Sequence, residues 1–321
     1  MFLCSKCKAI IDLPRCSNCG NKYEKLNGVW QLSDMPDIVV EGDSDKYIGY
    51  EYIGENYSGN RKYMIEDKDL AVAKEIAGIT GEGVFLDLAC GDGCFTVPVA
   101  SFGTKVIAGD ISNTMLKVLK QKAEANDVSL DNVTLCRMNA LDIPLADESV
   151  DTVVANSVLH LISNPEKVIG EIYRVLKKGG CFICIDDVPG KNIESTYDNS
   201  KYNDIVNSLY GEYWEALGSY GIVPKKYSWR FDRDGYCAGI FASSKEVLIE
   251  RGQYFETSLK DGFLPRFLSR GFSDQIAVLE DKHKSVIEML LESLKEKYGE
   301  NFDEIAFKGN EEDILLTMYR K

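Results

Sequence analysis

The stretch "VFLDLACGDG", Val84–Gly93, decides how the rest of the chain is read. A short apolar run meets a carboxylate, Asp87. Behind it comes a turn of small residues that carries a second carboxylate, Asp92. An apolar strand that ends in a charge and a Gly-rich turn reads as the rim of a ligand site. In an open parallel sheet, ligands bind beyond the carboxyl ends of the strands, where the strand order reverses. The turn is not a dinucleotide fingerprint, because G-x-G-x-x-G would need Gly at position 96, which is Thr96. No G-x-x-x-x-G-K-[ST] phosphate loop occurs either. A diphosphate would also face two carboxylates, Asp87 and Asp92, which repel it.

The surroundings of this turn set the fold class. "LAVAKEIAGI" is predicted helical, "GVFLDLA" a buried strand, and "FTVPVASFG" helical with Pro98 in the first turn. "KVIAGD" is a strand, "SNTMLKVLKQKAEAN" a helix capped by Ser112, and "NVTLCRM" and "VDTVVAN" are strands. "PEKVIGEIYRVLKKGG" is a helix opened by Pro165 and stopped by Gly179, and "CFICIDD" is a strand. Strands alternating with helices predict an α/β fold, a Rossmann-like, doubly wound, mostly parallel sheet. Beyond Pro189 the alternation loosens. A helix is expected in "NIESTYDNSKYNDIVNSLYGEYWEALGSYG", a second in "DKHKSVIEMLLESLKEKYG", and a last strand in "DILLTMYRK". Trp229 to Gly271 receives no assignment.

A cationic ligand turns the carboxylates of the turn to use. S-adenosylmethionine (SAM) carries a sulfonium, an α-ammonium and one carboxylate. Asp87 can attract its cationic portion, directly or through water. Gly91 and Gly93 let the backbone approach closely, and the helix N-terminus behind them can receive the ligand carboxylate.

These segments resemble the class I SAM-dependent methyltransferases, of the methyltransferase type 11 kind, over roughly Asp69 to Asp187. "FLDLACGDG" is similar to their first motif, with Ala89 where the family often has Gly. "VIAGDIS" resembles the second. The resemblance implies that Asp110 binds both ribose hydroxyls, with Ile111 beside it and Met115 packed on adenine. "MNALDIPLADESVD" resembles the third, with Asn139 replacing an aspartate ahead of Ala140, and implies that Asn139 bonds the adenine amino group. "NSVLHLISNPEKVIGEIYRVLKKGG" resembles the fourth strand end and following helix, which places Asn156 against the cofactor. His160, one of two histidines, is expected to face the pocket as a candidate base, the alternative being a structural histidine.

The first twenty residues carry a separate signal. In "CSKCKAIIDLPRCSNCG", Cys4, Cys7, Cys16 and Cys19 form two C-x2-C pairs separated by eight residues. Two thiolate knuckles at this spacing can make a closed tetrahedral site, usually for zinc, with iron the alternative. Four thiolates leave no open position, so the metal is expected to be structural. With "NKYEKLNGVWQL" the segment resembles the ribbon of bacterial rRNA guanine-N1 methyltransferases, which makes RNA a candidate substrate and the ribbon a docking module. The other six cysteines lie in apolar runs and read as small buried residues.

The chain then divides into a zinc ribbon (1–36), a linker and tyrosine-rich lid (37–68), a SAM-binding core (69–190), a substrate-capping insertion (191–262), and a C-terminal helix and strand completing the core (263–321). The lid holds Tyr47, Tyr50, Tyr52, Tyr57 and Tyr63, of which Tyr57 is the candidate to close over the cofactor; plain surface packing is the alternative. No run reaches the roughly 18 apolar residues of a membrane span. The opening "MFLCSKCKAI" lacks a signal-peptide pattern, so a cytoplasmic location is expected.

The chain of 321 residues has a net charge of −14, with +2 on residues 1–36 and hence −16 on the remainder. An acidic body is a poor general platform for phosphate backbones. The fourth strand ends in "ANSVLH", without [DN]-P-P-[YF], and no Pro-Cys follows a strand, which disfavours base-amine and C5-pyrimidine chemistry. The expected function is SAM-dependent methyl transfer to a small molecule. The alternatives are methylation of a guanine ring nitrogen in rRNA or tRNA, and a non-catalytic scaffold. The oligomeric state is not legible.

Overall fold

The computed structural model describes residues 2–33, 63–162, 164–188, 197–223, 231–251, 254–272, 274–275 and 278–321. Tyr57 and most of the expected lid lie outside the described residues. The N-terminal ribbon has a two-stranded sheet, β1 (Phe2–Leu3) with β2 (Ile10–Ile11), and a hairpin, β3 (Lys25–Leu26) with β4 (Val29–Gln31). The core then runs α1 (Asp67–Thr80), β5 (Val84–Leu88), α2 (Thr96–Ser101), β6 (Lys105–Asp110), α3 (Asn113–Ala125) and β7 (Val133–Arg137). It continues with β8 (Val150–Val154), α4 (Pro165–Val175) and β9 (Leu176–Val188). Beyond it come α5 (Ser200–Gly218), α6 (Arg233–Ile240), β10 (Ser243–Ile249), β11 (Tyr254–Ser258) and α7 (Phe263–Leu268). Last are α8 (Glu280–Tyr298), β12 (Ala306–Asn310) and β13 (Asp313–Arg320).

Among the described residues, the main sheet has nine strands in the order β10-β13-β9-β8-β5-β6-β7-β4-β3. From β7 across to β9 the pairings are parallel, and β13 is antiparallel to both β9 and β10. Strand order reverses at β5, flanked by β6 on one side and β8 on the other. A crevice therefore opens at the carboxyl ends of β5 and β8. On one face, Val72 and Ile76 of α1, Val97 and Val99 of α2, and Leu116 and Leu119 of α3 bury against Phe85, Val106 and Ile183. On the other, Val168, Ile169 and Ile172 of α4 pack on Leu86, Val153 and Phe182. The same buried cluster takes in Cys4, Ile11, Cys16, Tyr23 and Leu32 of the ribbon. Truncating one such fully buried leucine to alanine costs about 2–5 kcal/mol.

Ser112 caps α3 by accepting from Met115 N at 3.1 Å, and Pro165 opens α4 behind Asn164, which accepts from Lys167 N at 3.0 Å. Helix α4 ends at Val175, ahead of Gly179. Leu176 is already extended (φ −66°, ψ 133°), and the reversal into the sheet is made later, by Gly179 at φ +77°.

Two findings redraw the expected division of the chain. β10, inside the segment assigned to a cap, is a strand of the main sheet. Helix α8, assigned to the core, packs instead with α5 in a separate cluster of Ile205, Leu209, Tyr213, Phe267, Val286 and Leu290. Helices α5, α7 and α8 form a cap with their own apolar interior. The ribbon is likewise no separate module, since β4 pairs in parallel with β7, Trp30 opposite Cys136 and Gln31 opposite Arg137. A segment this short lacks a core of its own and completes one on the sheet. No helix among the described residues is long and apolar enough to cross a membrane.

Candidate functional site

Four strand ends converge on one cavity of about 190 Å³. β5 contributes Asp87 and the turn Leu88–Asp92; β6 contributes Asp110 and Ile111; β7 leads to Met138, Asn139 and Ala140; β8 leads to Asn156, Ser157, Val158 and Leu161. Met115 on α3 closes one wall. Of the ten residues assigned to the cofactor, Asp87, Ala89, Gly91, Asp110, Ile111, Met115, Asn139, Ala140 and Asn156 line this cavity and Gly93 does not. Gly93 sits at φ +78°, and a Cβ there would lie 2.5 Å from Leu119 Cγ. Its glycine is required by the seat of α3 against the turn.

The turn is held from behind. Asp110 accepts from Gly91 N at 2.9 Å through Oδ2 and from Ser112 N at 2.8 Å through Oδ1. Ala89 and Gly91 both adopt positive φ, +56° and +54°. A left-handed alanine costs about 1 kcal/mol, so the turn is kept in a conformation its sequence only partly favours.

Asp87 is 2% exposed and accepts from Thr96 Oγ1 at 2.6 Å. Burial raises its pKa to about 7, against the hydrogen bonds from Thr96; the charges of Asp110 and Asp92 add to the rise. A buried carboxylate poised near neutrality is a group that a cation will ionise. Asp92 has a different task from the one expected. Its Oδ2 lies 3.0 Å from Nζ of Lys122, a lysine buried on α3. The turn therefore presents Asp87, with Asp92 neutralised by a cation that the sequence pattern did not single out. Asn139 Oδ1 accepts from Leu141 N at 2.9 Å, which shapes the loop after β7.

A second cavity, of about 590 Å³, shares Asp92, Cys94, Phe95, Asn156 and Ser157 with the first. Its other walls come from the start of α1 (Glu66, Lys68, Asp69), the end of β9 (Asp186, Asp187) and the cap (Asp261, Arg266). It is rich in charge, with Glu66, Asp69, Asp92, Asp186, Asp187 and Asp261 against Lys68, Lys122 and Arg266. Burial raises the pKa of Asp69, against a hydrogen bond from Glu66 N. Arg233 on α6 grips Asp186 with both terminal nitrogens, at 3.0 and 2.7 Å. Apart from Asp92 and Asn156, none of these residues was singled out in the sequence, because they come from distant segments and carry no local pattern. His160 sits in the short helical turn Leu159–Leu161. Among the described residues, Val158 and Leu161 line the first cavity and His160 lines neither. Burial lowers its pKa.

The four cysteine sulfurs of the ribbon lie within 4.8 Å of one another, with Cys4–Cys19 and Cys7–Cys16 at 3.6 Å. A tetrahedron of sulfurs about 2.3 Å from a central metal has edges of about 3.8 Å, so the set fits one ion. Burial alone would raise the Cys4 thiol. Hydrogen bonds from the Tyr23 hydroxyl and the N–H groups of Cys7 and Lys6 outweigh it and bring the pKa down to about 6. That favours the thiolate, the form that ligates metals.

Residues 86–184 match the family model described as a methyltransferase domain. Over these residues, under a third of the chain, the sequence is similar to that methyltransferase family. Among curated relatives, the demethylmenaquinone methyltransferase of Symbiobacterium thermophilum is 34% identical over 145 residues, which is 43% of this chain and 57% of that protein. The demethylmenaquinone methyltransferase of Listeria welshimeri is 34% identical over 152 residues, 45% of this chain and 59% of that one. The matched region thus spans little more than half the length of these relatives. Among solved structures, the YcgJ protein from Bacillus subtilis aligns with 80% of this chain and 99% of its own at a TM-score of 0.46 and 18% identity.

Proposed function

We propose that this methyltransferase domain binds SAM in the first cavity and transfers its methyl group to a small polar acceptor in the second. The observation that carries the reading is the buried Asp87 carboxylate opening on a cavity that shares one wall with a larger, charged one. When bound, SAM supplies a methyl group on a sulfonium, and its S–CH3 bond breaks as an acceptor lone pair bonds to the carbon. Asp87 offsets the positive charge of the methionine portion. Asp110 holds the turn and offers its oxygens to the ribose; Met115 and the Asn139–Ala140 loop bracket the adenine. The shared wall of Phe95, Asn156 and Ser157 aligns the acceptor and excludes water, the main catalytic task in an in-line displacement. Where the acceptor must lose a proton, Asp69 is the candidate carboxylate, since it lines the second cavity and burial raises its pKa.

The names of the curated relatives point to a quinone. The lining of the second cavity favours a polar, amine-bearing acceptor, because six carboxylates against three cationic groups attract positive charge. The same lining disfavours RNA. We assign the Cys4 site to structural zinc, as its closed ligand set leaves no position for substrate. The test is transfer of labelled methyl from SAM into a fractionated cell extract by the zinc-loaded protein. Label in the small-molecule fraction supports the reading. Label in RNA overturns the acceptor assignment, and no transfer with no SAM binding overturns the cofactor.

A further inference from the structure

The ribbon reaches the first cavity from behind at two places. Immediately before Cys4, Leu3 N donates to Pro144 O at 3.0 Å, and Phe2 bridges to Leu145. Immediately after Cys7, Lys8 Nζ bonds both carboxylate oxygens of Asp142 at 2.7 Å. Both contacts fall on the loop 139–145, whose first residues, Asn139 and Ala140, line the cavity. The loop is closed on itself by Asp142 N donating to Asn139 O at 3.1 Å, so a shift at Asp142 moves Asn139.

The second place is the β4 end of the ribbon. Leu32 N donates to Arg137 O at 3.0 Å. Arg137 Nε, on the strand that feeds the loop, donates to Ile111 O at 2.9 Å, and Ile111 lines the cavity. Gln31 and Asn113 exchange side-chain hydrogen bonds of 3.0 and 3.2 Å two residues ahead of Met115. Lys8 and Asp142 are each more than half exposed and contribute little as a charge pair. The coupling rests on the backbone bonds and on the burial of Cys4, Cys16 and Leu32 in the same cluster as Leu86, Met138 and Ala140.

We infer that the metal-bound ribbon is a positioning element of the cofactor site, with Leu3, Lys8, Gln31 and Leu32 fixing the side of the cavity formed by Ile111, Asn139 and Ala140. The inference rests on the proposed binding of SAM in that cavity. Knuckles folded round a metal hold Leu3 and Lys8 in register with the loop. Without the metal, the loop loses its outer support and the cavity its shape. Because binding free energies are reciprocal, a ligand in the cavity must tighten the metal by the factor that the metal tightens the ligand.

The experiment is equilibrium competition for zinc between the full chain and a chromogenic chelator, with and without saturating S-adenosylhomocysteine. It is paired with titration of that ligand into zinc-loaded and zinc-stripped protein whose circular dichroism shows the core still folded. The expected result is a change of at least about fivefold in both affinities, equal in size. In zinc-loaded Asp142→Lys, which sets two like charges face to face without replacing a cavity-lining residue, we expect KM for SAM to rise with kcat retained. Zinc affinity independent of the ligand, or ligand affinity independent of zinc, overturns the inference and leaves the SAM reading intact. Failure of zinc-loaded protein to bind the ligand at all overturns the SAM reading and the inference with it.

Discussion

Asp87 makes the affinity for a cationic cofactor depend on pH in a way that can be worked out beforehand. In the free protein its pKa stands near 7, raised first by burial. The carboxyl is therefore favoured in its neutral form. The stability this burial permits is present below the unfolded carboxylate value and is lost as pH rises through about 7. SAM needs the ionised form opposite its charge, so binding drives the proton off. Below the free-protein pKa, affinity falls with the ionised fraction, which is about 0.09 at pH 6 and about 0.76 at pH 7.5. The dissociation constant of SAM should then tighten about eightfold from pH 6 to pH 7.5 and change little above that. Calorimetric titration at four pH values measures it, with proton release on binding as a second readout. Asp87→Asn can keep the hydrogen bond from Thr96 and cannot titrate, so it should bind weakly with a flat profile. A native profile flat between pH 6 and 7.5, or an equal slope in Asp87→Asn, would refute the argument.

Other perturbations test the supports of the site. Lys122→Met removes the buried cation beside the largely buried Asp92 carboxylate and should cost about 3 kcal/mol in urea unfolding. Adding Asp92→Asn should recover most of that loss. Gly93→Ala puts a Cβ against Leu119 at positive φ and should cost about 2 kcal/mol or more, whereas Ala89→Gly relieves a left-handed alanine and should gain about 0.5 kcal/mol. Unfolding midpoints for the two variants should move in opposite directions. In the cap, His283 Nδ1 lies 2.8 Å from Tyr213 Oη and Nε2 lies 3.0 Å from Leu268 O; burial lowers its pKa, against the pull of that carbonyl. Its contribution to stability is full above the unfolded histidine value of about 6.5 and is lost as pH falls from there towards the lowered one. Urea midpoints should drop below about pH 6.5 in the native chain and less in His283→Gln.

The parallel half of the sheet was legible because its strands are unbroken apolar runs and its helices carry their own caps, Ser112 and Pro165 among them. β10 was not. It is an edge strand, exposed over Ser243–Glu246, and shows neither an apolar run nor a clean alternation. The docking of the ribbon was illegible for another reason: the pairing of Trp30 with Cys136 spans about a hundred residues and leaves no local trace. Within the site, residues named for their place at a strand end, such as Asp87, Asp110 and Asn156, do meet in one cavity. Lys122 reads as one more helix-surface cation, and only the folded chain shows it buried against Asp92. The second cavity draws on α1, β9 and the cap, so no single stretch of sequence announces it.

The position of β13 bears on the order in which a growing chain can acquire its parts. This strand lies between β9 and β10, yet it is synthesised after both and after the whole of α8. Until residues 313–320 leave the ribosome, β9 and β10 have no common neighbour and each keeps an open edge. The residues that line the first cavity, between 87 and 161, have by then all been synthesised. The second cavity waits for Asp261, Arg266 and finally Ile314. On the proposed reading, a nascent chain holds every residue of its donor pocket well before it holds those of its acceptor pocket, and a ligand captured early would guard that open sheet while translation finishes.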